Sequence, residues 1–328
     1  MQQYDGARVL ITGGMGFIGS NLAIRLVAYG AQVTVVDSFI PSYGGNDRNI
    51  APIVDRVKVN IADVRDEYSM NHLVQGVDFL FNLAGQTSHL DSMLDPYSDL
   101  DINCRAQLSI LEACRKHNPH LKLVYASTRQ IYGKPNYLPV DERHLLHPVD
   151  VNGINKMAGE WYHILYNNVY GIRATALRLT NTYGPRMRVK DARQTFLGIW
   201  IKRLIEGLPI QVFGDGQQVR DFNYVADVVD ALVHVAVDAR TDGQVYNLGS
   251  SEIINLYDLA QLMIDIHGSG VCEVVPFPPD RKAIDIGDYY SDYGRIQQAI
   301  AWEPRVALRQ GLAETIAYYQ REAPFYFQ

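Results

Sequence analysis

Cysteine is scarce: three in 328 residues, Cys104, Cys114 and Cys272, at spacings that suit neither a disulfide framework nor a metal site. They read as isolated thiols in a reducing cytoplasm. No run approaches the roughly 18 consecutive apolar residues of a membrane-spanning helix. The opening MQQYDGARVLITGG has no charged segment followed by a long apolar one, so no secretory leader is expected. Positive charge is not in excess either. The 30 Lys and Arg stand against 36 Asp and Glu, a formal charge of −6, and without a basic block no nucleic-acid partner is expected. Repeats, low-complexity linkers and long charge runs are missing. What is present is 47% hydrophobic residues and 20% charged ones, enough to bury a large core. At roughly 150 residues per domain, the length suits two domains, or one large α/β unit with a lobe grafted on.

The first 130 residues alternate short β-rich runs with helical stretches. RVLIT (8–12), QVTVVD (32–37), VKVNI (57–61), FLFNL (79–83) and LKLVYAS (121–127) read as strands. Residues 16–29 carry Phe17, Ile18, Leu22, Leu26 and Val27 at helical spacing, and 99–117 reads as one long helix. A helix is expected over 151–170, a strand over 173–179, a helix over 225–237 and a short strand over 244–248. Residues 181–220, rich in Gly, Pro and Arg, read as loop-heavy. A helix near 308–319 closes the chain. Strand–helix alternation of this kind implies a doubly wound parallel sheet of Rossmann type, joined by a smaller, interwoven α/β lobe. The expected division is 1–180 plus about 224–248 for the first unit, and about 181–223 plus 249–328 for the second.

ITGGMGFIGS places Gly13, Gly16 and Gly19 between a strand and a helix. Glycines there let the backbone approach a pyrophosphate, and the helix N-terminus at Phe17 and Ile18 offers free N–H donors. Such a motif alone also fits a plain tight turn. Asp37, closing the second strand 18 residues after Gly19, adds a carboxylate that can accept the two hydroxyls of an adenosine ribose. No Arg follows at once to favour a 2′-phosphate, so NAD is preferred to NADP. Asp63 and Val64 are expected to flank the adenine. Leu83 and Ala84, after the fourth strand, are expected on the nicotinamide side.

Further segments extend the pattern: NLAG (82–85), YASTRQIYG (125–133), NKMAGE (155–160), LRLTNTYGPR (177–186), VFGDGQQVRDFNYVADVV (212–229) and YNLGS (246–250). With TGGMGFIGS they make the chain resemble the extended short-chain dehydrogenase/reductases over nearly its whole length. More narrowly, it is similar to the nucleotide-sugar epimerases and dehydratases. The resemblance implies bound NAD and a sugar-nucleotide substrate. It assigns Thr128 to the reacting sugar hydroxyl and Lys156 to the nicotinamide ribose. Asn181, Phe213, Arg220 and Arg281 go to the sugar nucleotide, with Arg178 in the same segment as Asn181. Asn103 is assigned structural support. The resemblance also implies a homodimer packed through the helices 99–117 and 151–170.

Two positions depart from the pattern. Asn152 stands four residues before Lys156, where the resemblance leads one to expect a Tyr base, and an amide is no base near neutral pH. Three readings follow. Another group supplies the base, with Tyr125, Tyr132, Tyr162, Tyr183 and His89 as candidates. Or Thr128, Asn152 and Lys156 relay a proton through water. Or the protein binds its ligands without turnover. The second departure is Gln130, preceded by Arg129, where dehydratases and decarboxylases of this type commonly carry a Glu. Gln cannot supply the acid–base group of an elimination. The sequence therefore points to reversible oxidation and reduction at one carbon, most simply 4-epimerisation, with dehydratase, decarboxylase, oxidoreductase or non-catalytic binding as the alternatives.

Overall fold

A computed structural model of the chain describes residues 2–40, 43–191 and 195–327. Its strands are β1 (Arg8–Thr12), β2 (Gln32–Asp37), β3 (Val57–Ile61), β4 (Phe79–Asn82), β5 (Lys122–Thr128), β6 (Arg173–Leu179), β7 (Asn181–Tyr183), β8 (Ile210–Phe213), β9 (Val219–Tyr224), β10 (Val245–Asn247), β11 (Ile253–Asn255) and β12 (Cys272–Val275). Seven of them form one parallel sheet in the order β10-β6-β5-β4-β1-β2-β3. The order reverses between β1 and β4, and such a reversal opens a crevice at the strands' carboxyl ends. A Rossmann-type α/β fold is thus in place.

Alternation along the strands divides the core. Val9, Ile11, Val33, Val35 and Val124 face the helices Phe17–Ala28 and Val225–Val237. Leu10, Val36, Leu80, Leu123 and Tyr125 face Ala106–His117 and Val151–Tyr170. A period of two on strands that are apolar on both faces is what a sheet covered on both sides requires.

The polypeptide leaves this sheet after β6 and builds two small sheets over the crevice. One has the order β11-β9-β7, the other pairs β12 with β8. The chain returns for β10 between them.

Several expectations need correction. The helix read over 99–117 is three pieces, Pro96–Leu100, a π-turn at Asp101–Arg105, and Ala106–His117. The wide turn carries Asn103, and the Gln107 amide donates to the Ile102 carbonyl across it (2.9 Å). The stretch 181–220 is less irregular than its Gly and Pro suggest. It holds β7, β8 and the helix Phe196–Ile205, whose apolar face buries Leu197, Trp200, Ile201 and Leu204. Strand β4 stops at Asn82 because the N–H groups of Leu83 and Ala84 turn to the Thr12 hydroxyl (3.1 Å each). The last helix continues to Tyr326, through Pro324 near its end. Among the described residues no helix is long and apolar enough to cross a membrane.

Candidate functional site

A crevice of about 670 Å³ opens along the carboxyl ends of β1, β2, β4 and β5, walled opposite by the small sheets. Every residue assigned from the sequence to cofactor, proton relay or sugar nucleotide lines it except Arg178, and of the alternative bases one does.

At one end lies the glycine turn. Gly13 has φ +67°, and a Cβ on it would meet Ala84 backbone at 3.0 Å. A Cβ on Gly19 would lie 2.2 Å from the Gly13 carbonyl oxygen, so only glycine lets the helix start this close to the turn. The helix Phe17–Ala28 begins at Gly16 with no side-chain cap and no acidic residue in its first turn. Its N–H groups and positive dipole end therefore face the crevice without an internal anion.

Asp37 ends β2 beside this turn. Its Oδ2 accepts from Met15 N–H (3.0 Å) and its Oδ1 from Phe39 N–H (2.9 Å). Burial pushes its carboxyl above the ordinary value, against those two bonds. Asp63, with Val64 beside it on the wall, is forked by its neighbour Arg65 (2.6 and 3.0 Å), which holds its carboxyl low. A cradle that a Cβ would fill, an uncapped helix end and a ribose-side carboxylate fit a dinucleotide. Gly13, Gly16, Phe17, Ile18 and Gly19 would hold its pyrophosphate, Asp37 its adenosine ribose and Leu83 and Ala84 its nicotinamide.

Thr128 and Lys156 stand mid-crevice. Thr128 ends β5, and its Oγ1 accepts the Gln130 N–H (3.2 Å). Lys156 donates to the Ala126 carbonyl (2.5 Å) and lies 4.4 Å from the centre of the Tyr125 ring. Burial pushes its ammonium down to about 8, although Asp99 and Glu160 oppose the shift. Asn152 faces the same space but turns its amide to the Gln86 carbonyl (2.8 Å) and to Asp99 Oδ2 (3.0 Å). Asp99 is fully buried and also accepts from Asn103 (3.0 Å) and Asn155 (2.8 Å). Three amides thus surround one carboxylate, a hub the sequence did not disclose.

Of the five base candidates, His89 alone lines the crevice. Tyr125 and Tyr132 are fully buried, and burial raises both phenols far from useful basicity. Tyr183 donates to the Leu308 carbonyl, and Tyr162 sits by Cys104. Arg178 is no ligand of the crevice: it forks Glu160 (2.6 and 3.0 Å) inside the protein, and Ser127 donates to the same carboxylate.

The far end combines Asn181, Phe213, Arg220 and Arg281. Arg281 stacks over Phe213 at 5.6 Å, and Phe277, which sequence reasoning missed, leans on the same ring at 5.7 Å. Arg220 reaches into the wall, yet Nη1 already donates to the Val219 and Gly287 carbonyls (2.8 and 2.5 Å). Burial lowers its guanidinium to about 10, helped by the like charge of Arg129. Arg129 was also missed. It is half-buried on the crevice wall and donates through Nη2 to Asn181 Oδ1 (3.0 Å), while its buried Nη1 makes no hydrogen bond among the described residues. A buried guanidinium nitrogen without an acceptor is open to an oxygen-rich ligand.

Residues 9–249 match the model of the NAD dependent epimerase/dehydratase family. The chain is 32% identical to a putative UDP-glucose 4-epimerase of Methanocaldococcus jannaschii, over 94% of this chain and 97% of that one. It is 30% identical to a dTDP-glucose 4,6-dehydratase of an Actinoplanes species, over 95% and 98%. Among solved structures, the UDP-glucose 4-epimerase of Thermotoga maritima with UDP-glucose is similar at a TM-score of 0.86 and 29% identity, over 96% of this chain and 99% of that one.

Proposed function

The chain belongs to the NAD dependent epimerase/dehydratase family, and from that membership we propose that it is a nucleotide-sugar 4-epimerase. NAD+, which Gly13, Gly16, Gly19 and Asp37 would hold, would supply a reversible hydride acceptor beside a sugar carbinol. The chain's own residues do the rest. Thr128 meets the reacting hydroxyl, and Lys156 orients the nicotinamide ribose and places positive charge beside the developing alkoxide. Asn181, Arg220 and Arg281 take the diphosphate, and Phe213 borders the nucleotide base. On this reading 1–180 with about 224–248 carry the cofactor, and the remainder carries the substrate.

The observation that carries the epimerase over an eliminating enzyme is Gln130. It stands two residues past Thr128, is nearly fully buried, and its amide donates to Asp150 Oδ2 (2.8 Å). Elimination of water needs a second acid–base group at that corner, and an amide tied to a carboxylate is none.

Two further assignments belong to this reading. Ile154, Trp161, Leu165 and Val169 are half or more exposed along the helix Val151–Tyr170, next to exposed Leu94, Tyr97 and Leu100. Such an apolar face suits a homodimer. The three unpaired thiols suit a cytoplasmic setting.

The test is incubation of the NAD-loaded protein with UDP-, dTDP-, CDP- and GDP-hexoses, followed by proton NMR. Interconversion of C4 epimers without net consumption of NAD is expected. A base-sensitive keto product, or carbon dioxide released from a uronate, would replace this reading with a dehydratase or a decarboxylase. No change in any sugar would remove catalysis altogether.

A further inference from the structure

We propose that His89, held by Asp150, is the general base for the sugar hydroxyl at Thr128, doing the work that Asn152 cannot. The proposal rests on the reading just given.

Position 152 is closed to proton transfer by geometry as well as by chemistry. Its amide nitrogen is spent on Gln86 and Asp99, and its backbone N–H donates to Ser92 Oγ (3.2 Å). Two basic side-chain nitrogens remain at this end of the crevice, on Lys156 and His89. Lys156 donates to the Ala126 carbonyl, which is the posture of a cation.

His89 has the posture of a base. Its Nδ1 lies 2.9 Å from Asp150 Oδ2, an ion-pair contact whose alignment falls short of a hydrogen bond, and its Nε2 makes no hydrogen bond among the described residues. The ring keeps about a third of its surface open (38%), whereas the Asp150 carboxylate is fully enclosed. That carboxylate is fixed twice more, by Gly153 N–H (2.6 Å) and by the Gln130 amide (2.8 Å). Burial opposes its charge, but His89 and these donors outweigh burial and hold its carboxyl below the ordinary value. An ionised Asp this close to Nδ1 draws the proton of the neutral ring to that nitrogen by charge, leaves Nε2 as the acceptor, and stabilises the imidazolium once it forms.

The turn that carries the ring is pinned. Ser88 caps it through Asp91 N–H (3.1 Å), and Ser92 Oγ donates to the His89 carbonyl (2.7 Å) while receiving the Asn152 N–H. Gln130 links the two ends of the arrangement. Its N–H meets Thr128 Oγ1, and its amide meets the Asp150 oxygen that faces His89. The charged groups on the elements packed around His89 are Asp150 at the N-cap of the helix Val151–Tyr170, Lys156 and Glu160 on that helix, Asp91 on its own turn, and Asp99 on Pro96–Leu100.

In the forward half-reaction the hydroxyl O–H bond breaks and its proton passes to His89 Nε2. The oxygen's electron pair becomes the second carbonyl bond as the carbon gives up its hydrogen, with that bond's electrons, to the oxidant already assigned to this crevice. In the return half-reaction Nε2 gives the proton back to the carbonyl oxygen. Charge balances throughout through the ionised Asp150.

The experiment compares wild type, His89→Ala, His89→Asn and Lys156→Met, each loaded with NAD, on whichever sugar nucleotide wild type turns over. Calorimetry gives ligand affinity, and ¹⁵N-histidine NMR of the loaded protein, with and without ligand, reports the Nε2 proton. For His89→Ala we expect kcat to fall 10²- to 10⁴-fold, affinity to change less than about threefold, and the acid limb of the pH profile to vanish. Added imidazole should restore part of the rate. In wild type the His89 Nε2 resonance should be that of an unprotonated acceptor, perturbed by ligand. Wild-type kcat in His89→Ala overturns the proposal. So does a lowered kcat with an unchanged pH profile and no imidazole rescue, or a surviving limb near pH 8 that disappears in Lys156→Met. An inert wild type removes the epimerase reading and this proposal together, whereas an active wild type with an active His89→Ala removes this proposal alone.

Discussion

His163 shows how a single side chain can set the acid limit of the molecule. It is fully buried, stacks on Tyr125 at 4.2 Å, and its Nδ1 lies 2.7 Å from the Gly159 carbonyl. That contact makes Nδ1 the donor and leaves Nε2 to accept from Asn82 (3.3 Å). Burial lowers the imidazole to about 4 from an ordinary 6.5. Between those values the unfolded chain holds a proton that the folded one does not, so stability falls as pH drops through that window. The loss is of order 3 kcal/mol at pH 4. Urea midpoints of wild type should fall more steeply from pH 7 to 4.5 than those of His163→Gln. Arg129 gives a second expectation. Arg129→Met removes a buried charge along with one hydrogen bond and a ring contact to Tyr289 (5.0 Å). Thermal stability should hold or rise, while calorimetric affinity for the sugar nucleotide falls about tenfold or more, about 1.4 kcal/mol. Neither group announced itself in the sequence. The place of Gly13, Gly16, Gly19 and Asp37 on the crevice is legible because they stand in or beside one contiguous strand–turn–helix. Arg129 with Asn181, and His89 with Asp150, are partners only through the crossing of distant segments, and no local pattern encodes them.

The glycine turn and the helix Phe17–Ala28 act as one element, and their contact is the place to disturb it. Gly19→Ala puts a methyl group 2.2 Å from the Gly13 carbonyl, a clash with backbone that no rotamer relieves. We expect a loss of about 1–3 kcal/mol in stability and 10- to 100-fold weaker NAD binding, read as absorbance of co-purified cofactor and by calorimetry. Regular elements with a clear period were readable: β1, β2, β3, β6 and the helices Val151–Tyr170 and Val225–Val237 fall where periodicity puts them. Reading failed where local composition and tertiary demand disagree. The π-turn at Asp101–Arg105 follows no period of 3.6 residues, because it accommodates Asn103, whose amide bonds the Gln86 carbonyl (2.9 Å) and Asp99. The helix Phe196–Ile205 lies between Gly- and Pro-bearing flanks that masked its apolar face.

At the scale of the whole molecule the crevice is a seam between the parallel sheet and the two small ones, so every ligand contact depends on their mutual placement. The exposed apolar face of Val151–Tyr170 belongs to this scale as well, since that helix also carries Asn152 and Lys156. Trp161, 58% exposed, is central to it. The proposed dimer predicts that wild type sediments as a dimer and the double variant Trp161→Glu/Leu165→Glu as a monomer, while each chain retains its bound NAD. The winding of the polypeptide has a practical outcome for engineers. Because β7, β8 and β9 are built before the chain returns to the large sheet for β10, and β11 and β12 follow it, no single scissile point separates the two walls. Exchanging one wall for a homologue's requires swapping two discontinuous stretches at once, and complementation by a pair of halves severed at any one bond would leave each half with an incomplete wall.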